Sequence, residues 1–175
     1  FSQEYIGKKV GMVLQDPFLF SGTVLDNVRY GKFDVSIDEI KKSSELLGMT
    51  DFINSLENGY DTVIGQRGSD LSMGQRQLLS ILRALVADTQ YLILDEATSS
   101  IDSYTEKKIQ KALDVLLSDR TSITIAHRLA TVRKCDQIIV LNAGKIEETG
   151  SHQELLDNKG LYSKLYNLNY SSFDD

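Results

Sequence analysis

The stretch Leu71–Asp102, LSMGQRQLLSILRALVADTQYLILDEATSSID, constrains this chain more than any other part of it. Ser72 stands ahead of a run with apolar residues at Leu78, Leu79, Ile81, Leu82 and Leu85, the spacing of a helix that buries a broad face. The spacing predicts a helix from just after Ser72 to about Ala87, with the Ser72 hydroxyl as its N-cap. Tyr91–Leu94 is then an uninterrupted apolar strand, of the type buried on both faces of a parallel sheet. It runs into Asp95-Glu96, which places both acids at the carboxyl edge of the sheet, where open α/β proteins hold their ligands. One carboxylate there suits a hard cation and the other a water, although an acidic pair can equally close a strand by capping the next turn. The start of the helix offers unpaired N–H groups and a positive dipole end to an anion. An ordinary cap, with Ser72 bonded to the Gln75 backbone, is compatible with that use.

On either side the chain alternates between strand and helix patterns. Lys9–Gln15 is β-rich and stops at the turn signal Asp16-Pro17. Thr23 can cap a short helix over Val24–Tyr30, and Ser36–Leu47 is amphipathic, closed by Gly48. Asp51 can cap a further short helix reaching Leu56, so Val24–Leu56 reads as a helical lobe. The glycine-bearing loop Tyr60–Asp70 leads back to Ser72. Downstream, an amphipathic helix over Thr105–Leu117 precedes β-rich runs at Thr121–Ala126 and Gln137–Leu141, with a helical turn near Leu129–Arg133 between them. Asn142–Lys145 reads as a hairpin turn into Lys145–Glu148, and two small helices, Ser151–Leu156 and Leu161–Leu168, follow. His152 falls at the start of the first of these and is expected near the surface. The pattern predicts an α/β sheet with a helical insert.

Five short motifs stand in order along the chain: VGMVLQD at Val10–Asp16, LSMGQ at Leu71–Gln75, YLILDE at Tyr91–Glu96, SSID at Ser99–Asp102 and ITIAHR at Ile123–Arg128. In that order, and over nearly the whole chain, they resemble the Q-loop, signature, Walker B strand, D-loop and switch histidine of the ABC transporter nucleotide-binding domain. The resemblance implies a partial P-loop NTPase (ABC ATPase) sheet with a helical subdomain, using ATP and Mg²⁺. It divides the chain into a Q-loop strand and linker (residues 1–23), a helical subdomain carrying the signature helix (24–88) and the C-terminal part of the catalytic core (89–175). It implies that Asp95 holds Mg²⁺ through water, Glu96 polarises the attacking water, His127 contacts the γ-phosphate, and Gln15 serves both the metal and coupling. Ser72, Gly74 and Gln75 would close over ATP held by a second nucleotide-binding domain in a homo- or heterodimer, and Asp102 would bridge the two. Met73 stands where the family usually has glycine. Thr62–Gly68 (TVIGQRG) resembles the X-loop of exporter-type members, and Phe18–Val24 (FLFSGTV) with Asn27-Val28 resembles their segment after the Q-loop. Both would face coupling helices of a transmembrane domain.

Composition sets the bounds on this reading. A net charge of −6 argues against broad affinity for nucleic acid or anionic lipid. The single Cys135 excludes an internal disulfide and fits a reducing compartment, as expected at the cytoplasmic face of a membrane. No apolar run approaches the roughly 18 residues of a membrane span, so the chain itself is expected to be soluble. The phosphate-cradling element GxxxxGK[ST] does not occur in these 175 residues, and Phe1 is not an initiating Met. The expectation is a C-terminal piece of an exporter ATPase, catalytic in its parent and inactive alone, with open sheet edges and apolar faces prone to pairing. Two other classes compete. A chromosome-maintenance or repair ATPase head would join coiled coils, and no sustained heptads occur here. A non-catalytic module would dock through Val24–Gly68.

Overall fold

The computed structural model describes residues 2–95, 101–126 and 129–170, which fall into two compact units, 1–125 and 126–175. The first unit runs α1 (Gln3–Lys9), β1 (Val10–Val13), β2 (Gly22–Thr23), α2 (Val24–Arg29), α3 (Ile37–Leu46), α4 (Thr50–Asn54), β3 (Val63–Ile64), α5 (Met73–Ala87), β4 (Tyr91–Asp95), α6 (Ser103–Leu117) and β5 (Thr121–Ile125). Strands β1, β4 and β5 form a parallel sheet in that order, with Met12 beside Ile93 and Ile93 beside Ile123.

Alternation along the strands decides which face is covered. Val13, Leu92 and Leu94 are buried in one core with Leu78, Leu79, Ile81 and Leu82 of α5 and Ile109, Ala112 and Leu116 of α6. The opposite face carries Tyr91, 44% exposed, with Met12 at 55% and Ile123 at 66%. The apolar run of β4 is therefore buried on one side, not two. A continuous apolar run satisfies one-sided and two-sided cover alike, so the sequence pattern alone did not distinguish them. Helix α5 is the centre of this unit. It packs against α2, α3, α6 and β1 and is buried on most of its circumference, from Gly74 to Val86.

Of the three N-caps expected, Thr23 and Ser72 cap their helices and Asp51 does not. Thr23 with Asp26, Ser36 with Glu39 and Ser72 with Gln75 form reciprocal capping boxes, and Asp102 caps α6. Asp51 does not cap α4. Gly48, at φ +66°, turns the chain, and the Met49 N–H donates to the Ser44 carbonyl at 2.8 Å. The helix thus begins at Thr50, and Asp51 lies in its first turn, where a carboxylate favours the positive helix end.

The second unit contains α7 (Leu129–Val132), the hairpin β6 (Ile138–Asn142) and β7 (Lys145–Gly150), α8 (His152–Asp157) and α9 (Leu161–Tyr170). Ala143 (φ 47°) and Gly144 (φ 76°) form the expected two-residue turn, of the mirror-image type that matches strand twist. Ile138, Val140, Leu155 and Tyr162 make a small core. His152 is the first residue of α8, as expected, and is half-buried. Its Nδ1 lies 2.7 Å from the Tyr162 hydroxyl, and its ring packs against Tyr162 and Tyr166.

Candidate functional site

The parallel register sets Val13 beside Leu94, so the chain leaves β1 and β4 at the same edge of the sheet. Asp95 is the half-buried last residue of β4, and Gln15 is exposed two residues beyond β1. One carboxylate and one amide oxygen at a single sheet edge are hard donors of the kind Mg²⁺ takes, with water and phosphate oxygens completing its shell. Among the described residues no group of three or more His, Cys, Asp or Glu gathers to hold a metal. Glu96 and His127 lie outside the described residues.

At the start of α5, the Ser72 Oγ accepts from the Gln75 N–H at 3.2 Å, and the Gln75 Oε1 accepts from the Ser72 N–H at 2.8 Å. This box engages the amides of Ser72 and Gln75, so the groups of the helix start that remain for an anion to meet are those of Met73 and Gly74 between them. Met73 has helical backbone geometry as the first residue of α5, and its sulfur lies 3.6 Å from Arg76 Nη2. Its side chain therefore adds no left-handed strain. The Asp102 Oδ1 accepts from the N–H groups of Tyr104 at 3.1 Å and Thr105 at 2.9 Å. The Thr105 backbone bond, followed by its hydroxyl, holds the Asp102 carboxyl below the usual carboxylate range. The two helix starts meet: a Cβ added at Gly74 would lie 2.3 Å from Thr105 Cγ2 and 3.5 Å from Ile101 Cγ2.

A second surface joins the two segments that flank these motifs. Gly22 pairs with Ile64 and Thr23 with Val63, and the Val24 N–H donates to the Thr62 carbonyl at 3.0 Å. Gly68, at φ +69°, fits between Leu19 and Arg76, where an added Cβ would lie 3.0 Å from a carbon of each. Beneath this patch Asn27 is buried. Its Oδ1 accepts from the Phe20 N–H and Arg83 Nη2, both at 2.9 Å, and its Nδ2 donates to the carbonyls of Phe20 (2.9 Å) and Thr23 (3.0 Å). Arg83 of α5 also donates from Nε to the Asn27 carbonyl at 2.8 Å and from Nη1 to the Phe18 carbonyl at 3.0 Å. Its guanidinium stands 5.7 Å from the ring centres of both Phe20 and Tyr30, which stack at 4.3 Å. Phe18 and Phe33 pack edge-on at the two ends of this exposed aromatic row. Burial lowers the Arg83 pKa from its usual value. Sequence reasoning singled out the segments but missed Arg83 and Tyr30. The available signal was a cation set directly between the apolar residues Leu82 and Ala84 of a largely buried helix, which demands acceptors.

The model of the ABC transporter family matches residues 2–99. The chain belongs to the ABC transporter family. It is 53% identical over 159 residues to the uncharacterized ABC transporter ATP-binding protein YfiC of Bacillus subtilis, covering 91% of this chain and 26% of that protein. It is 46% identical over 160 residues to the ATP-dependent lipid A-core flippase of Desulfotalea psychrophila, covering 91% of this chain and 28% of the flippase. Among solved structures it superposes on a bacterial Atm1-family ABC exporter with ATP bound at a TM-score of 0.82 and 40% identity, covering 93% of this chain and 28% of that one. The chain thus spans about a quarter of the length of the curated relatives it matches. The parallel sheet with its helical lobe is the expected ABC ATPase fold. Among the described residues no helix is long and apolar enough to cross a membrane.

Proposed function

We propose that this chain is part of the ATP-binding and ATP-hydrolysing domain of an ABC exporter, coupling nucleotide binding and hydrolysis to transport across a membrane. The observation that carries the reading is the parallel register of β1 and β4, which sets Gln15 and Asp95 at one carboxyl edge. There Asp95 and Gln15 would hold Mg²⁺, which would supply neutralisation of phosphate charge. Glu96 polarises the attacking water, and His127 contacts the γ-phosphate and helps orient that water. Ser72, Gly74 and Gln75 close on ATP held by a second nucleotide-binding domain, and Asp102 meets that partner. The patch where Phe18–Val24 pairs with Thr62–Gly68 faces the coupling helices of a transmembrane domain, which puts the chain at the cytoplasmic face of the membrane. That pairing favours the exporter over a repair ATPase head, because it unites the two segments that resemble exporters.

The test is phosphate release in the intact protein that carries this chain. Glu96→Gln is expected to lower turnover by about 10²-fold or more while ATP still binds. The 175 residues alone, without a phosphate-cradling loop, are expected to release none. Near-normal turnover in Glu96→Gln, or phosphate release by the isolated chain, would overturn the assignment.

A further inference from the structure

Gly74 has helical dihedral angles inside α5, so its backbone conformation does not require glycine. On helix propensity alone, alanine would be the better residue. Space is the constraint. Gly74 is buried, and a Cβ there would lie 2.3 Å from Thr105 Cγ2, well inside the distance at which carbon atoms can approach. Thr105 cannot readily swing away, because it is β-branched and its N–H is bonded to the Asp102 Oδ1 at 2.9 Å.

We propose that Gly74 is a packing glycine and Thr105 a positioning residue, their contact fixing where the start of the signature helix stands relative to Asp102. The inference rests on the reading of Ser72–Gln75 and Asp102 as two parts of one edge, the first closing on ATP held by the second domain and the other meeting that domain. Each part is anchored to its own helix, the first by the Ser72–Gln75 box and the second by the bonds from Tyr104 and Thr105 to Asp102. Any shift of α5 against α6 therefore displaces the two polar ends relative to each other. On this account a side chain at position 74 is harmful because it pushes the helices apart inside one subunit. The alternative is that it obstructs phosphate directly.

The experiment is a double-mutant cycle in the intact protein, with ATP turnover and thermal unfolding measured on Gly74→Ala, Thr105→Ser and the pair. Thr105→Ser removes only the Cγ2 methyl and keeps the hydroxyl. Gly74→Ala is expected to lower turnover about tenfold, a typical effect of misplacement by a fraction of an ångström. The pair is expected to return to within about threefold of Thr105→Ser alone, with the unfolding midpoint restored in parallel. A pair no better than Gly74→Ala, or a Gly74→Ala protein with unchanged turnover, overturns the proposal. If Gly74→Ala does not fold, recovery of folded protein in the pair supports it and continued failure to fold overturns it. An intact wild-type protein with no ATP turnover would remove the functional reading. Rescue of the unfolding midpoint would still decide the packing.

Discussion

At the scale of single residues, Asn27 and Arg83 join stretches that are distant in sequence. Asn27 is 2% exposed, and its amide bonds Phe20, Thr23 and Arg83, the last 56 residues away. Truncating it leaves a buried N–H, two carbonyls and part of a guanidinium without their partner. Asn27→Ala is expected to destabilise the chain by about 2–4 kcal/mol, since unmet buried groups cost their full desolvation. Urea unfolding should show a lower midpoint at unchanged slope, and a midpoint within error of wild type would refute the estimate of its role. This pair also shows where sequence reading stops. The Thr23 cap was legible because Asp26 stands three residues away, within one helical turn. Nothing in the spacing of Asn27 announces Arg83, because the fold, not the local chain, supplies that contact. The candidate site divides the same way: Gln15, Asp95 and the signature residues were readable from motifs, whereas the approach of Gly74 to Thr105 required the packing of two helices.

Among the elements, four helix starts share one electrostatic device. Asp26, Glu39 and Glu154 each accept a backbone N–H at their own helix start, and Asp102 does so at α6. Backbone bonds first, then hydroxyl bonds from Thr23, Ser36 and Ser151, lower the pKa of the first three. A carboxyl with a lower pKa when folded binds its proton more readily unfolded, so these caps stabilise fully above the ordinary carboxylate range. Their contribution disappears as pH falls through the lowered folded values. The unfolding midpoint should therefore drop on acidification below about pH 4. Glu39→Gln with Glu154→Gln, which keep the box geometry but cannot titrate, should flatten that drop. An acid slope identical to wild type would show that the boxes do not carry it. Helix starts were the most legible elements because their chemistry spans three residues. The cover of β4 was the least legible, because it depends on which helices reach each face.

For the whole molecule, the uncovered sheet face has a direct consequence. Met12, Tyr91, Ile123 and Ile125 form an exposed apolar strip across three strands. The isolated 175-residue chain is expected to self-associate with rising concentration, and Ile123→Lys to reduce this without unfolding it. Light scattering reads the result directly, and a monomer at every concentration would contradict it. The sheet also carries information about time. Val10 pairs with Tyr91, so the entire helical lobe lies between two neighbouring strands. On a ribosome adding about 5–20 residues per second, β4 follows β1 by on the order of 4–16 seconds. The pairing of β2 with β3 and the burial of α2 and α3 can begin earlier, so the helical lobe has a head start on the β1–β4 pairing.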